Sequence, residues 1–170
     1  MSSGRRTSRL ELPLKHGVGI MLFNRHGQVW LGQRRPKWLG RSTESVWQMP
    51  QGGIRPGEQP IDAALRELEE ETGARTVTVL AQAPSWLTWQ LPPYLIGIAL
   101  KGRYSGQRQL WFAMRFLGDD SEISIEPRNG SKAEFDNWRW VELDEVADLG
   151  LSYKRPVYEA VIREFSHLAR

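Results

Sequence analysis

The amino-acid sequence predicts an α+β fold in which a mixed β-sheet is sandwiched between helices, an α/β/α arrangement. Two observations predict it: short apolar segments with the pattern of strands are spread along the chain, and two longer segments repeat apolar residues at helical spacing. With 170 residues, 40% of them hydrophobic, the chain is long enough for one domain with a core and too short to suggest two. We therefore expect a single domain over residues 15–170, preceded by a flexible tail at residues 1–14.

The first part of the chain predicts three strands. Residues 17–23 (GVGIMLF) form an apolar run typical of a buried strand, residues 24–28 predict a hairpin turn, and residues 29–34 predict the returning strand. The polar residues 35–45 predict a loop. Residues 47–49 predict a short third strand, which leads into a glycine-rich loop.

A helix is predicted from about Glu58 to Thr72. Its apolar side chains recur at helical spacing and form one stripe, at Ile61, Ala64, Leu65 and Leu68. Pro60 is tolerated because it falls in the first turn, and Gly73 predicts a left-handed stop after the last turn. The helix therefore has one face to bury and another face that is free for chemistry.

Three strands and one helix are predicted in the second part of the chain. Residues 76–83 and 109–117 predict strands, and one face of the second strand is apolar, at Leu110, Phe112, Met114 and Phe116. Residues 135–141 predict another strand. Ser152 can cap a C-terminal helix, whose apolar residues are Val157, Val161, Phe165 and Leu168.

Three carboxylates, Glu67, Glu70 and Glu71, share an arc of about 100° beside the apolar stripe of the first helix. Arg66 is the local countercharge, and no lysine lies nearby in the sequence. Two interpretations are open: a solvated acidic face, the common case for so short a pattern, or a site where a divalent cation relieves the repulsion. Carboxylate oxygens suit Mg²⁺ or Mn²⁺ better than Zn²⁺, which prefers histidine and cysteine.

The composition excludes several classes of site. The chain has no cysteine, so disulfides and thiolate metal sites are excluded and a reducing cytoplasm is favoured. No run of about 18 apolar residues occurs, and no apolar segment follows the N-terminal arginines, so we expect neither a membrane span nor a signal peptide. The net charge is +3, but many acidic residues are concentrated in the predicted helix, which leaves a basic surface compatible with an anionic substrate.

The spacing of residues 52–74 resembles the Nudix box, GX5EX7REUXEEXGU, in which U is a bulky aliphatic residue. Every defined position matches except the last, where Ala74 is smaller than expected. The resemblance implies a Nudix fold and an enzyme that hydrolyses a nucleoside diphosphate linked to another group. It also favours the cation-binding interpretation of the three carboxylates, with Mg²⁺ as the cofactor and Mn²⁺ as a substitute.

The same resemblance implies a role for each residue of the box. The implied metal ligands are the backbone carbonyl of Gly52 and the carboxylates of Glu67, Glu70 and Glu71. Arg66 is expected to orient these carboxylates, and Glu58 is expected to brace the loop against the helix. Structural roles in the motif are also implied for Gly53 and Gly73.

Segments outside the box resemble the RNA pyrophosphohydrolases and the related asymmetric diadenosine tetraphosphate hydrolases within that family. They include WQMPQGG at 47–53, SWLTWQLP at 85–92, GQRQLWFAMRF at 106–116, EFDNWRWV at 134–141 and SYKRPVY at 152–158. The resemblance runs from about residue 15 to residue 165. It therefore covers nearly the whole chain.

This narrower resemblance implies residues that bind substrate. Glu134 is expected to join the metal ligands, Arg35 to lie beside phosphate, and Trp89 and Tyr153 to lie near the bases, where aromatic rings can stack. Lys154, which follows Tyr153 in the motif, is expected to contact substrate as well. Relatives often have lysine where Leu110 stands, so another cation must replace it, namely Lys101, Arg103 or, as we expect, Arg108.

The resemblance implies Mg²⁺-dependent removal of pyrophosphate from 5′-triphosphate RNA ends, which would initiate mRNA decay in the cytoplasm. An alternative is hydrolysis of diadenosine tetraphosphate to ATP and AMP by the same site. A third possibility, of another class, is a Nudix module that binds nucleotides without hydrolysis. Glu71 and Glu134 are both candidates for the base that activates water, with Arg66 as a third catalytic residue. The expected partners are RNA 5′ ends or dinucleoside polyphosphates, with no membrane partner, and we favour a monomer.

Overall fold

The computed structural model describes residues 12–34, 46–128 and 134–170. Within these residues the chain forms eight strands: β1 (Leu14–Phe23), β2 (Val29–Arg34), β3 (Val46–Gln48), β4 (Gln51–Gly53), β5 (Val77–Gln82), β6 (Leu87–Gln90), β7 (Gly106–Phe116) and β8 (Asn137–Val141). It also forms three α-helices: α1 (Pro60–Thr72), α2 (Val146–Leu149) and α3 (Arg155–Phe165). No helix in this described part of the chain combines the length and apolarity needed to cross a membrane.

All eight strands belong to one mixed sheet. Its main path runs β3-β2-β1-β7-β5, while β4 pairs with β1, β6 with β7, and β8 with β2. The β1 and β7 strands are parallel, in register from Leu14 opposite Gly106 to Phe23 opposite Arg115. The other pairings are antiparallel. Because β1 and β7 are the longest strands and lie at the centre, they fix the positions of the shorter strands that carry the site.

Helices cover both faces of the sheet. Alternate residues of β1 point to opposite faces, as expected for a strand. One face carries Val18, Ile20 and Leu22 of β1 in a core cluster that includes the buried α1 residues Ala63, Ala64 and Leu68. The other face carries Met21 and Phe23 in a cluster that includes the α3 residues Val157, Tyr158, Val161 and Phe165. The predicted α/β/α sandwich is therefore confirmed.

The α1 helix begins at Pro60, two residues later than predicted. The preceding Gln59 has extended backbone angles and makes no side-chain cap, while the carboxylate of Glu58 accepts a hydrogen bond from the Arg55 N–H at 3.0 Å. Glu58 therefore closes the preceding turn instead of entering the helix. At the other end Gly73 adopts φ 77°, and its N–H donates to the Glu69 carbonyl, which ends the helix as predicted.

Several boundaries differ from the sequence-based expectations. The β1 strand begins at Leu14, within the segment predicted as a tail, and the Ser105 N–H donates to the Pro13 carbonyl at 3.0 Å. The short strands β4 and β6 were not predicted, because the first consists largely of glycine and the second is followed by two prolines. A 3-10 turn at Ser152–Lys154 precedes α3, so Ser152 does not cap that helix. The loop predicted at 35–45 lies outside the described residues.

Candidate active site

The glycine strand β4 brings the backbone close to the first carboxylate of the box. Val18 of β1 lies opposite Gly52 in an antiparallel pair. A side chain at Gly52 would collide with the Glu67 carboxylate, and a side chain at Gly17 would come within 2.6 Å of the Gly52 carbonyl oxygen. Glycine is required at both positions because the backbone and the carboxylate pass so close to each other.

Arg66 links the loop, the glycine strand and the helix. Its guanidinium donates to both carboxylate oxygens of Glu58 at 2.8 Å, and to the Gly53 carbonyl at 2.8 Å. It also donates to Glu67 at 2.8 Å and to Glu70 at 3.3 Å. A planar guanidinium can hold so many acceptors in fixed directions, so Arg66 sets the orientation of two of the three box carboxylates.

These contacts have clear effects on protonation. The hydrogen bonds from Arg66 and from the Arg55 backbone lower the pKa of Glu58 to about 2. The hydrogen bond to Glu58 raises the pKa of Arg66 further above its usual range. Both groups therefore stay charged at any pH at which the protein would function.

An acidic cavity of about 710 Å³ lies beside β4 and α1. Three carboxylates line it together with the Gly52 backbone, namely Glu67, Glu71 and Glu134. Lys15 and Arg34 also line it, and Arg34 forms an ion pair with Glu134 at 3.2 Å. The cavity thus brings together carboxylates from α1 and from the segment before β8, which lie more than 60 residues apart in the sequence.

Glu71 is the most buried carboxylate of the site. Only 9% of the residue is exposed, and one of its oxygens accepts a hydrogen bond from the Gln51 N–H at 3.1 Å. Burial and the nearby charges of Glu134 and Glu67 raise its pKa well above the usual value. Burial likewise raises the pKa of Glu67, against the influence of Arg66. Ionisation of these two carboxylates is therefore unfavourable in their buried environment, even though Lys15, Arg34, Lys101 and Arg103 also line the cavity.

Glu70 has a different position. It lies outside the set of described residues that line the acidic cavity, and its carboxylate pairs with Arg66 at 3.3 Å and with Arg55 at 3.5 Å. The arc predicted from helical spacing is therefore divided: Glu67 and Glu71 face the cavity, and Glu70 faces two arginines at its edge.

The donor set of the cavity fits a hard divalent cation. All the candidate ligands are oxygens, and the unfavourable charge of Glu71 beside Glu67 and Glu134 is the kind that a cation relieves. In the described part of the chain, no three acidic or histidine side chains already stand in a metal-binding group. Glu67 and Glu134 are instead held by Arg66 and Arg34. Binding an ion at this site would therefore require these two ion pairs to loosen.

A second cavity, of about 80 Å³, adjoins the first. Its polar and aromatic lining consists of Arg34, Gln48, Gln51, Trp89, Tyr153 and Lys154. The rings of Trp89 and Tyr153 lie 5.4 Å apart and are tilted by 46°. Arg34, Gln51, Ala99 and Leu100 line both cavities, so the two form neighbouring parts of one cleft.

Lys154 is buried in this second cavity. Only 5% of the residue is exposed, and its ammonium lies 4.8 Å from the centre of the Trp89 ring. Burial and the charge of Arg34 lower its pKa to about 7, although Glu134 and Glu71 act in the opposite direction. An arriving phosphate would favour the charged form, so Lys154 is suited to respond to an anionic ligand.

Glutamines form a polar network at the base of the cleft. The amide nitrogen of the fully buried Gln109 donates to Gln51 at 2.8 Å and to Gln107 at 2.7 Å. Gln48 is also buried, and neither its amide nitrogen nor its amide oxygen has a hydrogen-bond partner in the described chain. A buried amide without partners is costly, which is consistent with a ligand that completes its hydrogen bonds.

Of the predicted substrate contacts, one lies outside the described residues and another lies away from the cleft. Arg35 lies outside the described residues, whereas its neighbour Arg34 lines both cavities. Arg108 alternates with Gln107 and Gln109 along β7, so it points to the opposite face of the sheet, where its guanidinium lies 4.7 Å from the Trp86 ring. The structure therefore does not bring Arg108 to the cleft.

Sequence reasoning also missed functional candidates. Arg34 could have been identified as the last residue of a predicted strand that ends beside the glycine loop. Gln48, Gln107 and Gln109 could have been identified as polar residues that interrupt otherwise apolar strands. Polar side chains in such positions must find partners, so their presence is a signal of a built polar site.

Comparison with known proteins identifies the family. A model of the NUDIX domain matches residues 13–165. The chain belongs to the Nudix family. Nudix hydrolases generally use divalent metal cations, in agreement with the all-oxygen donor set of the acidic cavity.

Individual Nudix relatives resemble the chain over its length. An RNA pyrophosphohydrolase of Mesorhizobium japonicum is 51% identical over 173 residues, covering 100% of both chains. An RNA pyrophosphohydrolase of Rhizobium meliloti is 50% identical, covering 94% of this chain and 98% of the relative. Among solved structures, the MutT protein of Methanosarcina mazei superposes with a TM-score of 0.64 at 21% identity, covering 91% of this chain and 96% of the other. That likeness supports the Nudix fold.

Proposed function

We propose that this chain is an RNA 5′ pyrophosphohydrolase, which converts a 5′-triphosphate end to a 5′-monophosphate and so initiates mRNA decay in the cytoplasm. The observation that carries the proposal is that Arg34 lines both the acidic cavity and the aromatic cavity. A polyphosphate and a base of the same molecule can therefore be held side by side. The two relatives at 50–51% identity bear the name of this activity.

The proposed cofactor is Mg²⁺, for which Mn²⁺ can substitute. The residues that would hold it are the Gly52 carbonyl and the carboxylates of Glu67, Glu71 and Glu134, which line the cavity. Glu70, at the edge of the cavity, could join them only by leaving Arg55 and Arg66. When bound, such a cation neutralises phosphate oxygens and lowers the pKa of water, which makes hydroxide available as the nucleophile. The proposed role of Arg66 is to keep Glu67 and Glu70 in a fixed orientation through its bond to Glu58.

The chain's own charges support binding of the triphosphate. Arg34 and Lys15 line the cavity beside the carboxylates and can pair with phosphate oxygens.

Glu71 is buried, whereas the Glu134 side chain is 44% exposed. We assign the role of base to Glu134, because a base at the mouth of the cavity can pass the proton from water on to solvent.

The second cavity supports binding of a base near the 5′ end. Tyr153 presents an aromatic ring and packs against Trp89, which is only 4% exposed. The unpartnered amide of Gln48 can both donate to and accept from a base edge. Lys154 would gain its proton when a phosphate comes near. The substrate class that satisfies both cavities is an RNA 5′ end that carries a polyphosphate.

The decisive experiment is a comparison of kcat/KM for 5′-triphosphorylated RNA and for diadenosine tetraphosphate with Mg²⁺. Glu71→Gln serves as the inactive reference, and Glu69→Gln, an exposed glutamate of the same helix, serves as the matched control. A preference for RNA supports the proposal. A preference for the dinucleotide would replace it with the asymmetric hydrolase activity, and RNA binding without turnover on either substrate would make the protein a binding module.

A further inference from the structure

Residues 93–104, which we term the ridge, connect β6 to β7 and carry two strongly exposed apolar side chains. Tyr94 is 71% exposed and Ile98 is 61% exposed. In the described chain these are the two most exposed large apolar residues. Exposed apolar side chains beside a cleft are a feature of binding surfaces.

The ridge has a fixed shape, because three of its apolar residues are buried. Leu95, Ile96 and Ala99 are at most 6% exposed, and the Leu95 carbonyl accepts hydrogen bonds from the N–H groups of Ile98 and Ala99 at 3.0 Å. The backbones of Leu100 and Lys101 adopt φ 54° and φ 57°, which residues other than glycine rarely do. Such backbone conformations persist where the surroundings hold them, and they are concentrated at ligand-binding segments.

The ridge is also basic and faces the acidic cavity. Lys101 and Arg103 are exposed, and neither forms an ion pair with any acidic residue that the structure describes. Both line the cavity that contains Glu67 and Glu71, as does Ile98. The ridge therefore combines unpaired cations with exposed apolar and aromatic surface directly beside the site proposed for the 5′ end.

We propose that the ridge binds the RNA chain downstream of its 5′-terminal nucleotides. A base stacks on Tyr94 and packs against Ile98, while Lys101 and Arg103 pair with backbone phosphates. The positive charges of Lys101 and Arg103 favour a polyanion as the ligand. The exposed ring of Tyr94 favours a polyanion whose bases are unstacked and can stack on it. The inference rests on the proposed function and deepens it, since a dinucleoside polyphosphate has no downstream chain to occupy the ridge.

The first test measures RNA binding without turnover. A fluorescent 12-nucleotide RNA with a 5′-hydroxyl is titrated in EDTA, so neither triphosphate nor metal contributes. The double variants Tyr94→Ala/Ile98→Ala and Lys101→Gln/Arg103→Gln are each expected to weaken binding about tenfold, and the second is expected to reduce the slope of log K against log salt by about 1.4. The matched control is Leu117→Ala/Arg163→Ala, which removes an exposed apolar residue and an exposed cation elsewhere. Binding by the ridge variants equal to that of the control would overturn the inference.

The second test separates the downstream chain from the triphosphate. Values of kcat/KM are compared for triphosphorylated RNAs of two and twelve nucleotides. The ridge variants are expected to lose about tenfold on the longer RNA and little on the dinucleotide. An equal loss on both lengths would overturn the inference and assign Lys101 and Arg103 to the triphosphate. The binding test needs no catalysis. If the protein proved inactive on RNA, the proposed function would be refuted, but the binding test would still show whether the ridge binds RNA.

Discussion

The Arg66 guanidinium donates to both carboxylate oxygens of Glu58, each at 2.8 Å, and so ties the loop before α1 to the helix. The same group donates to the Gly53 carbonyl and to Glu67, also at 2.8 Å. One side chain therefore sets the distance between the glycine strand and a proposed metal ligand. This relationship makes Arg66 a positioning residue whose geometry matters as much as its charge.

Arg66→Lys is expected to lower kcat/KM by about 10- to 100-fold, the usual effect of losing a partner that orients a ligand. Lysine keeps the positive charge but cannot hold Glu58 bidentately while also contacting Gly53 and Glu67. The measurement is steady-state kinetics on triphosphorylated RNA across a range of Mg²⁺ concentrations. We expect a weaker apparent affinity for Mg²⁺ as well as a lower rate.

The matched control is Arg155→Lys on α3. Arg155 also pairs with two carboxylates, Asp148 at 2.8 Å and Glu159 at 2.9 Å, but on the exposed surface. The Arg155→Lys variant should leave both kcat/KM and the apparent affinity for Mg²⁺ unchanged. If Arg66→Lys behaved in the same way, charge alone would be sufficient at this position and the orienting role would be wrong.

Glu71→Gln is expected to stabilise the metal-free protein at neutral pH while abolishing turnover. Because its pKa is raised in the folded state, Glu71 makes the folded protein bind more protons than the unfolded chain once the pH exceeds the ordinary glutamate value. The free energy of unfolding then falls as pH rises through this window. The variant removes that fall. We expect its free energy of unfolding at pH 8 to exceed that of the wild type by an amount on the order of 1 kcal/mol or more, with a smaller difference at pH 5, measured by urea unfolding in EDTA.

Glu69→Gln provides the comparison, since Glu69 is exposed on the same helix and should show no such gain. Addition of Mg²⁺ should raise the stability of the wild-type protein more than that of Glu71→Gln, because a ligand that binds only the folded state stabilises it. Equal stability of the two variants at both pH values would mean that Glu71 carries no uncompensated charge.

Most of the fold could be predicted from local pattern. The apolar run of β1 and the alternating apolar residues of β7 identified the central strands, and the 3.6-residue period identified α1. The strand β4 has no apolar pattern to detect, since it is Gln51-Gly52-Gly53 and becomes a strand only by pairing with β1. Leu65 was predicted to be in the buried stripe but is 37% exposed. Helical spacing shows which residues share a face of the helix, but it does not show which part of that face packs against the sheet.

The residues of the site likewise fall into two groups, those that the sequence predicts to be close together and those that only the fold brings together. Glu67, Glu71 and Arg66 lie within one short motif, so their proximity follows from helix geometry. Arg34 and Lys154 meet in the second cavity only because the fold brings the end of β2 to the start of α3. No periodicity in the sequence specifies such a long-range contact, which is why the meeting of Arg34 and Lys154 could not be predicted from sequence.

Lys154→Met is expected to stabilise the protein more at pH 6 than at pH 9.5. The pKa of Lys154 is lowered to about 7, so between that pH and the ordinary lysine value the unfolded chain binds more protons than the folded protein. The free energy of unfolding of the wild type therefore rises with pH over this window, and methionine removes the contribution. Urea unfolding at the two pH values measures the difference.

Arg163→Met is the control, because Arg163 is exposed, lines neither cavity, and its variant should change stability equally at the two pH values. The same experiment bears on binding: wild-type affinity for triphosphorylated RNA should weaken between pH 6 and pH 9 through loss of the Lys154 proton. Lys154→Met should be weaker throughout and less sensitive to pH. A difference in stability that is the same at both pH values would show that Lys154 is charged across the whole range.

Gln109→Leu is expected to raise KM for triphosphorylated RNA about tenfold while leaving kcat within about twofold, the scale of effect seen when an outer partner of a ligand is lost. Gln109 donates to the side-chain oxygens of Gln51 and Gln107, at 2.8 and 2.7 Å, and so leaves their amide N–H groups free to face the acidic cavity that both residues line. Leucine fills a similar volume but releases both side chains. Kinetics at saturating Mg²⁺ separates KM from kcat.

Stability should change little in Gln109→Leu, because the amide oxygen of Gln109 is itself buried without a partner and its removal offsets the lost hydrogen bonds. Gln90→Leu, at an exposed position on the neighbouring strand β6, should alter neither KM nor kcat. A fall in kcat at constant KM would place the glutamine network in the chemical step. An unchanged KM with lower stability would restrict Gln109 to packing, since free Gln51 and Gln107 side chains would then bind substrate as well as oriented ones.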